Sequence, residues 1–274
     1  MATAPPPSPR SLWTLAVGLG LGAFVLEQVA HECCHGLTAL AVGGRWDWLH
    51  FFAVGSEVSP EAPRAARLAV PAGAALWDIA LGAVAFLVSR RTSRPTLRLF
   101  SVYLAAFCWF AGFGYLFFDA ATYDPEGTDL GDWKRVLQIL GDVPLARLVV
   151  GAVGLAGYLG AFYWLPRALT RFAGEERWPL ARALAWGPYL GANLLATALA
   201  WSHPIGDGGL GLVLSKGWLG FSGFFWAAWM ARSEPPSEDA VRLRERTALA
   251  SGVAIAAIVV AVGLALGPWG PGAP

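Results

Sequence analysis

The chain has 274 residues, 56% of them hydrophobic and 14% charged, with a mean hydropathy of +0.51. Soluble domains carry about a quarter charged residues, so this composition excludes a soluble enzyme and indicates a polytopic membrane protein. The net charge of +1 leaves no basic footprint for nucleic acid, and the three cysteines make no disulfide framework.

Residues 1–10 are Pro-rich and are expected to be disordered. The rest reads as one membrane domain, 11–267, with a short Gly/Pro tail, 268–274. Apolar runs long enough to cross a bilayer, roughly 20 residues each, occur at 12–43, 68–89, 97–118, 144–165, 180–201, 210–231 and 248–267. The expected fold is therefore all-α, a bundle of six or seven transmembrane helices. The first run is too long for the apolar core of a signal peptide, and no small-residue cleavage site clearly follows it. It reads as a retained span. The segment after it, Arg45–Pro60, is aromatic with β-branched residues toward its end, which suits a short interfacial hairpin. His50 falls within that hairpin. The fourth and sixth runs are Gly-rich, which suits close helix packing in lipid.

Arginines orient the bundle. Those at 90–98, 167–182 and 232–246 fall with the N-terminus on one side, which the rule assigns to the cytoplasm. Two lysines against eighteen arginines, with abundant Ala and Gly, suggest a GC-rich bacterial genome and hence a bacterial inner membrane. In this topology all four histidines lie toward the outer side. The acidic loop containing Asp119, Asp124, Glu126, Asp129, Asp132 and Asp142 lies there too.

The most informative stretch is His31-Glu32-Cys33-Cys34-His35, which matches H-E-x-x-H inside an apolar run. Histidines four apart on a helix share a face, so both imidazoles can bind one metal ion, zinc in this pattern. Glu32 lies beside that face, and a cluster of ionisable groups in lipid is a functional-site signal. Glu27 falls on the same face and is expected to accept the free ring N–H of His31. Gln28 stacks below Glu32. Cys33, Cys34 and Cys108 read as packing residues.

The stretch VAHECCHGLTALAVGGR resembles the first catalytic span of site-2-protease-type intramembrane metalloproteases, with Gly43-Gly44 matching their Gly-Gly turn. Later stretches, GYLFFDAATYDPEGTDLGDW and WGPYLGANLLATALAWSHPIG followed by FSGFFWAAWM, resemble a bacterial branch related to these proteases. The resemblance implies that His31 and His35 are zinc ligands and that Glu32 is the general base. It also implies a transmembrane or membrane-associated protein substrate. Two departures stand out. Cys34 replaces the Gly before the second histidine, and His203-Pro204 stands where the family has Asn-Pro, with Asp207-Gly208 following too closely to match its Asp-Gly motif.

The third ligand is chosen as Asp132, in Gly131-Asp132-Trp133, with a capping role for the following helix as the competing reading. Asp78, in the middle of the second span and expected to lie deeper than the histidines, is its main rival, with a role as partner to a polar group of a neighbouring helix as the competing reading, and Asp119 is a third candidate. His203 is a further candidate to line or ligate the site, with a turn histidine at the interface as the preferred reading. The function implied is a zinc-dependent intramembrane endopeptidase. The alternative is a non-catalytic membrane protein of the same fold, with a structural metal site or a role in solute transport.

Overall fold

The computed structural model describes residues 9–127, 131–173, 177–201, 210–211, 213–230 and 247–266. The long apolar runs become helices α1 (Pro9–Ala41), α2 (Arg64–Arg91), α3 (Pro95–Ala121), α5 (Pro144–Ala173), α6 (Arg177–Ala200) and α8 (Thr247–Leu266). Two shorter helices are α4 (Asp132–Leu140) and α7 (Ser222–Met230). Among the described residues, five helices are long and apolar enough to cross a membrane: α1, α2, α3, α5 and α8. The protein is an α-helical membrane bundle. Helix α1 already begins at Pro9, so the last two residues of the Pro-rich segment 1–10 are helical, as a proline at the start of a helix allows.

Helix α3 is the centre of the bundle. Its most apolar window is 78% buried, against 22% for α5 and for α8 at the periphery. Helix α1 lies beside it, packed on α6 and α8 through a row of glycines. A side chain at Gly18 would run into the Ala250 carbonyl of α8, and one at Gly20 into Pro188 of α6. Small residues are what let helices approach this closely in lipid, where burial of apolar surface drives little association.

The expected hairpin is present. Strands β1 (Arg45–His50) and β2 (Ala53–Glu57) pair antiparallel, Arg45 opposite Glu57, with a bulge between Trp46 and Trp48. Gly43 at φ 81° makes the turn out of α1, a conformation that suits glycine. The hairpin does not simply rest at an interface. Its tip residue Phe51 is fully buried, and its ring meets Phe24 of α1 at 5.8 Å. Phe24 in turn contacts Phe107 and Phe221. The apolar tip thus folds back along α1 into the bundle core.

The run 210–231 does not form one continuous span. A π-helical segment, Val213–Leu219, precedes α7, and the two are separated at Gly220-Phe221. Irregular backbone inside a membrane protein needs partners for its polar groups. Tyr158 donates to the Gly220 carbonyl at 2.7 Å and Tyr189 to the Trp218 carbonyl at 2.8 Å. The Trp218 indole N–H donates to Thr197 at 3.1 Å. These bonds from α5 and α6 fix the segment in place.

Candidate metal site

The face of α1 that carries Glu27, His31 and His35 turns inward, while Leu26, Leu37 and Leu40 face outward. All three inward groups, and Glu32, are buried. The two imidazoles lie edge to face, 5.0 Å between centroids, as neighbours one turn apart on a helix must.

Each histidine is held by its Nδ1 atom. His31 Nδ1 donates to Asp78 Oδ2 at 2.7 Å, and Asp78 is completely buried in α2. His35 Nδ1 donates to the Val70 carbonyl of α2 at 2.9 Å. These partners place a hydrogen on both Nδ1 atoms, and in the neutral rings each Nε2 then offers a lone pair. Helices α2 and α3 pack closely at Gly112, where a Cβ would stand 2.8 Å from the Ala75 carbonyl and 3.1 Å from the Asp78 Cβ. The sequence reading offered Glu27 as the acceptor of the His31 N–H and held Asp78 as a ligand candidate or as the partner of a polar group on a neighbouring helix. The structure gives that hydrogen bond to Asp78 of α2, at 2.7 Å.

Asp132 faces the two free nitrogens. Its Oδ2 is 3.2 Å from His31 Nε2 and its Oδ1 3.4 Å from His35 Nε2. Ligand atoms of His31, His35 and Asp132 lie within 4.8 Å of one another, close enough to hold one metal ion. Asp132 is free for this because another carboxylate caps its helix. Asp119, at the end of α3, accepts the Trp133 N–H at 3.0 Å, and a Cβ on Gly131 would sit 2.8 Å from Asp119 Oδ2. The capping role weighed for Asp132 thus belongs to Asp119. Arg147 of α5 secures this end of α3 by donating to the Ala120 carbonyl at 2.8 Å.

Burial opposes the ionised form of Asp132, but neighbouring His35, hydrogen bonds with both histidines and Lys216 hold its carboxyl well below the usual carboxylate range. Its side chain is one-fifth exposed (20%), which leaves the site reachable from outside. When both rings are neutral, with their Nδ1–H groups donated, three acceptor atoms converge; the hydrogen bonds to Asp132 form only when the rings carry a proton on Nε2 as well. A proton or a cation has to resolve that arrangement, and two imidazoles with a carboxylate suit zinc.

Around this core, Glu32 accepts from Gln28 at 3.1 Å, as their spacing on α1 predicts, and belongs to neither set of grouped ligand atoms. A second group, Glu27, His31 and Asp78, also lies within 4.8 Å. Glu27 Oε2 and Asp78 Oδ1 are buried without a hydrogen-bond partner among the described residues.

The sequence reading missed two residues. Tyr115 of α3 stacks on His31, 5.0 Å between centroids and 16° between planes. Lys216, on the π-helical segment, places its Nζ 3.7 Å from the Tyr115 ring centroid, and its charge acts on Glu32, Asp119 and Asp132. Lys216 is one of two lysines in the chain and interrupts an apolar run, which is a signal that could have identified it.

The remaining candidates lie elsewhere. Cys34 pairs with Thr38 at 3.8 Å, and Cys108 is buried in α3. His50 accepts the Phe52 N–H at 3.3 Å at the hairpin tip, outside both metal-capable groups. His203 and Asp207 lie outside the described residues. The chain matches no family model, no curated protein and no solved structure.

Proposed function

We propose that the protein is a zinc-dependent intramembrane endopeptidase of a bacterial inner membrane, with its N-terminus in the cytoplasm. The observation that carries this reading is the convergence of His31 Nε2, His35 Nε2 and the Asp132 carboxylate, with both ring Nδ1 atoms already committed to other acceptors. The resemblance of the His31–His35 stretch to site-2-protease-type enzymes points the same way.

His31, His35 and Asp132 would hold the zinc. Asp78 and the Val70 carbonyl orient the rings. Zinc held there would supply Lewis acidity and lower the pKa of a bound water toward neutrality. Glu32, one residue along α1 from His31, takes a proton from the attacking water and returns it to the leaving amine. Lys216 adds a fixed positive charge, which favours negative charge developing on the scissile carbonyl oxygen. A substrate helix must unwind locally to present that carbonyl, because helical backbone groups are satisfied internally.

The test uses the full chain purified in detergent. Wild type is expected to carry one zinc and to cleave a reconstituted transmembrane substrate. His35→Ala is expected to lose the metal, and Glu32→Gln to keep it without cleaving. Unchanged zinc content in His35→Ala would overturn the site. Zinc retained throughout with no proteolysis by wild type would favour a structural metal instead.

A further inference from the structure

The metal site holds one donor that nothing around it uses. Tyr115 of α3 lies nearly parallel to the His31 ring, with 5.0 Å between centroids and 16° between planes. A phenylalanine would stack equally well, so the phenol oxygen needs a separate reason. Tyrosine hydroxyls inside a protein normally find a hydrogen-bond partner. The three tyrosines of the main apolar core do: Tyr103 donates to the Leu184 carbonyl at 2.9 Å, Tyr158 to the Gly220 carbonyl at 2.7 Å and Tyr189 to the Trp218 carbonyl at 2.8 Å. Tyr115, half-buried, makes no hydrogen bond among the described residues.

Four carboxylates surround this phenol. Asp132 and Glu32 act on it more strongly than Glu27 and Asp78. Charge interactions weaken with distance. Asp132 faces the Nε2 atoms of the histidines, while Asp78 holds His31 Nδ1. The hydroxyl therefore lies toward the Nε2 side of His31, where a metal ion and an attacked carbonyl would meet. Its position is set by a rigid element. Tyr115 and Asp119 are one turn apart on α3, and Asp119 accepts the Trp133 N–H beside Asp132. One helix thus carries the phenol and fixes the start of α4, which carries Asp132. Lys216 Nζ stands 3.7 Å from the Tyr115 ring centroid. A cation against an aromatic ring draws on its electron density, which strengthens the O–H as a donor.

We propose that Tyr115 is a catalytic residue whose hydroxyl donates a hydrogen bond to the scissile carbonyl oxygen as that oxygen becomes negative. Free donors held rigidly where charge develops are what lower such a barrier. The proton stays on the phenol oxygen throughout. The inference rests on the endopeptidase reading and adds a residue to it.

The test compares the zinc-loaded full chain in detergent with Tyr115→Phe, which keeps the stack and removes only the oxygen. Zinc content, melting temperature and KM should stay as in wild type, with kcat lower by about 10²- to 10³-fold. A second readout needs no proteolysis. Calorimetry follows the binding of N-phosphoryl-leucinamide, a tetrahedral anion that mimics the attacked peptide, and of azide, which reaches a metal without tetrahedral oxygens. The tetrahedral anion should bind Tyr115→Phe about 10- to 100-fold more weakly, and azide equally. A Tyr115→Phe kcat within about threefold of wild type overturns the proposal. So does equal binding of the tetrahedral anion by the two proteins, whether or not wild type cleaves. Loss of zinc from Tyr115→Phe also overturns it, because the hydroxyl would then be a ligand. Weaker binding of the tetrahedral anion by Tyr115→Phe in a protein that cleaves nothing upholds the donor and sinks the endopeptidase reading alone. Wild type that binds neither anion has no open metal position, and both readings fall.

Discussion

Two metal-capable groups share His31, and replacing Asp78 distinguishes them. If the metal lies on the Nε2 side with His35 and Asp132, Asp78 acts only through the His31 Nδ1–H, at 2.7 Å from a fully buried carboxylate. Asp78→Ala removes that acceptor and leaves the ring free to turn. Loss of such a partner lowers metal affinity about 10- to 100-fold, or about 1.4 to 2.7 kcal/mol. The range agrees with the ~1.5–3 kcal/mol of a charge-assisted hydrogen bond. Asp78→Asn keeps an acceptor of the same shape, so its effect should lie at the lower end. Asp132→Ala and His35→Ala each remove a direct ligand and should abolish stoichiometric binding. The assay is zinc competition against a chelating dye with the full chain in detergent, with the thermal melt of each metal-free variant as a check on folding. The opposite pattern, in which Asp78→Ala abolishes binding while Asp132→Ala only weakens it, would move the metal to the Glu27–His31–Asp78 group and refute the ligand assignment.

Glu32→Gln should leave zinc content unchanged and slow cleavage of a membrane substrate by about 10²- to 10⁴-fold, and a rate within tenfold of wild type would remove Glu32 as the base. Lys216→Met should lower kcat by about 10²-fold with zinc retained, and Lys216→Arg should recover part of it; an effect confined to KM would make Lys216 a substrate-binding group instead. Gly131→Ala should displace the Asp119 carboxylate from the Trp133 N–H and destabilise the start of α4 by about 1 kcal/mol. That change should appear as a lower melting temperature with weaker zinc binding. Gly18→Leu should separate α8 from α1, because Ala250 backbone fills that space, whereas Gly252→Leu faces open space and should melt as wild type.

Local sequence carried much of this protein. Apolar run lengths located the helices, because crossing a bilayer sets a length that sequence states directly. The four-residue spacing of His31 and His35 put both rings on one face, since helical periodicity is a property of one segment. Gly43-Gly44 and the aromatic stretch after it marked a turn and a hairpin for the same local reason. What depended on contacts between segments was settled by tertiary structure. Asp132 meets the histidines only because Asp119 takes over the cap of α4, across an acidic loop that sequence alone leaves without a path. Asp78 takes the place of Glu27 as the partner of His31 because α2 packs beside α1, where Gly73 lies against Thr38. The tip of the hairpin turns inward because Phe51 finds Phe24, Phe107 and Phe221 in one place. Lys216 joins the site because tyrosines from two other helices hold a broken span in position. Periodicity reports what each segment presents, but only the packing of segments determines what each presented group meets.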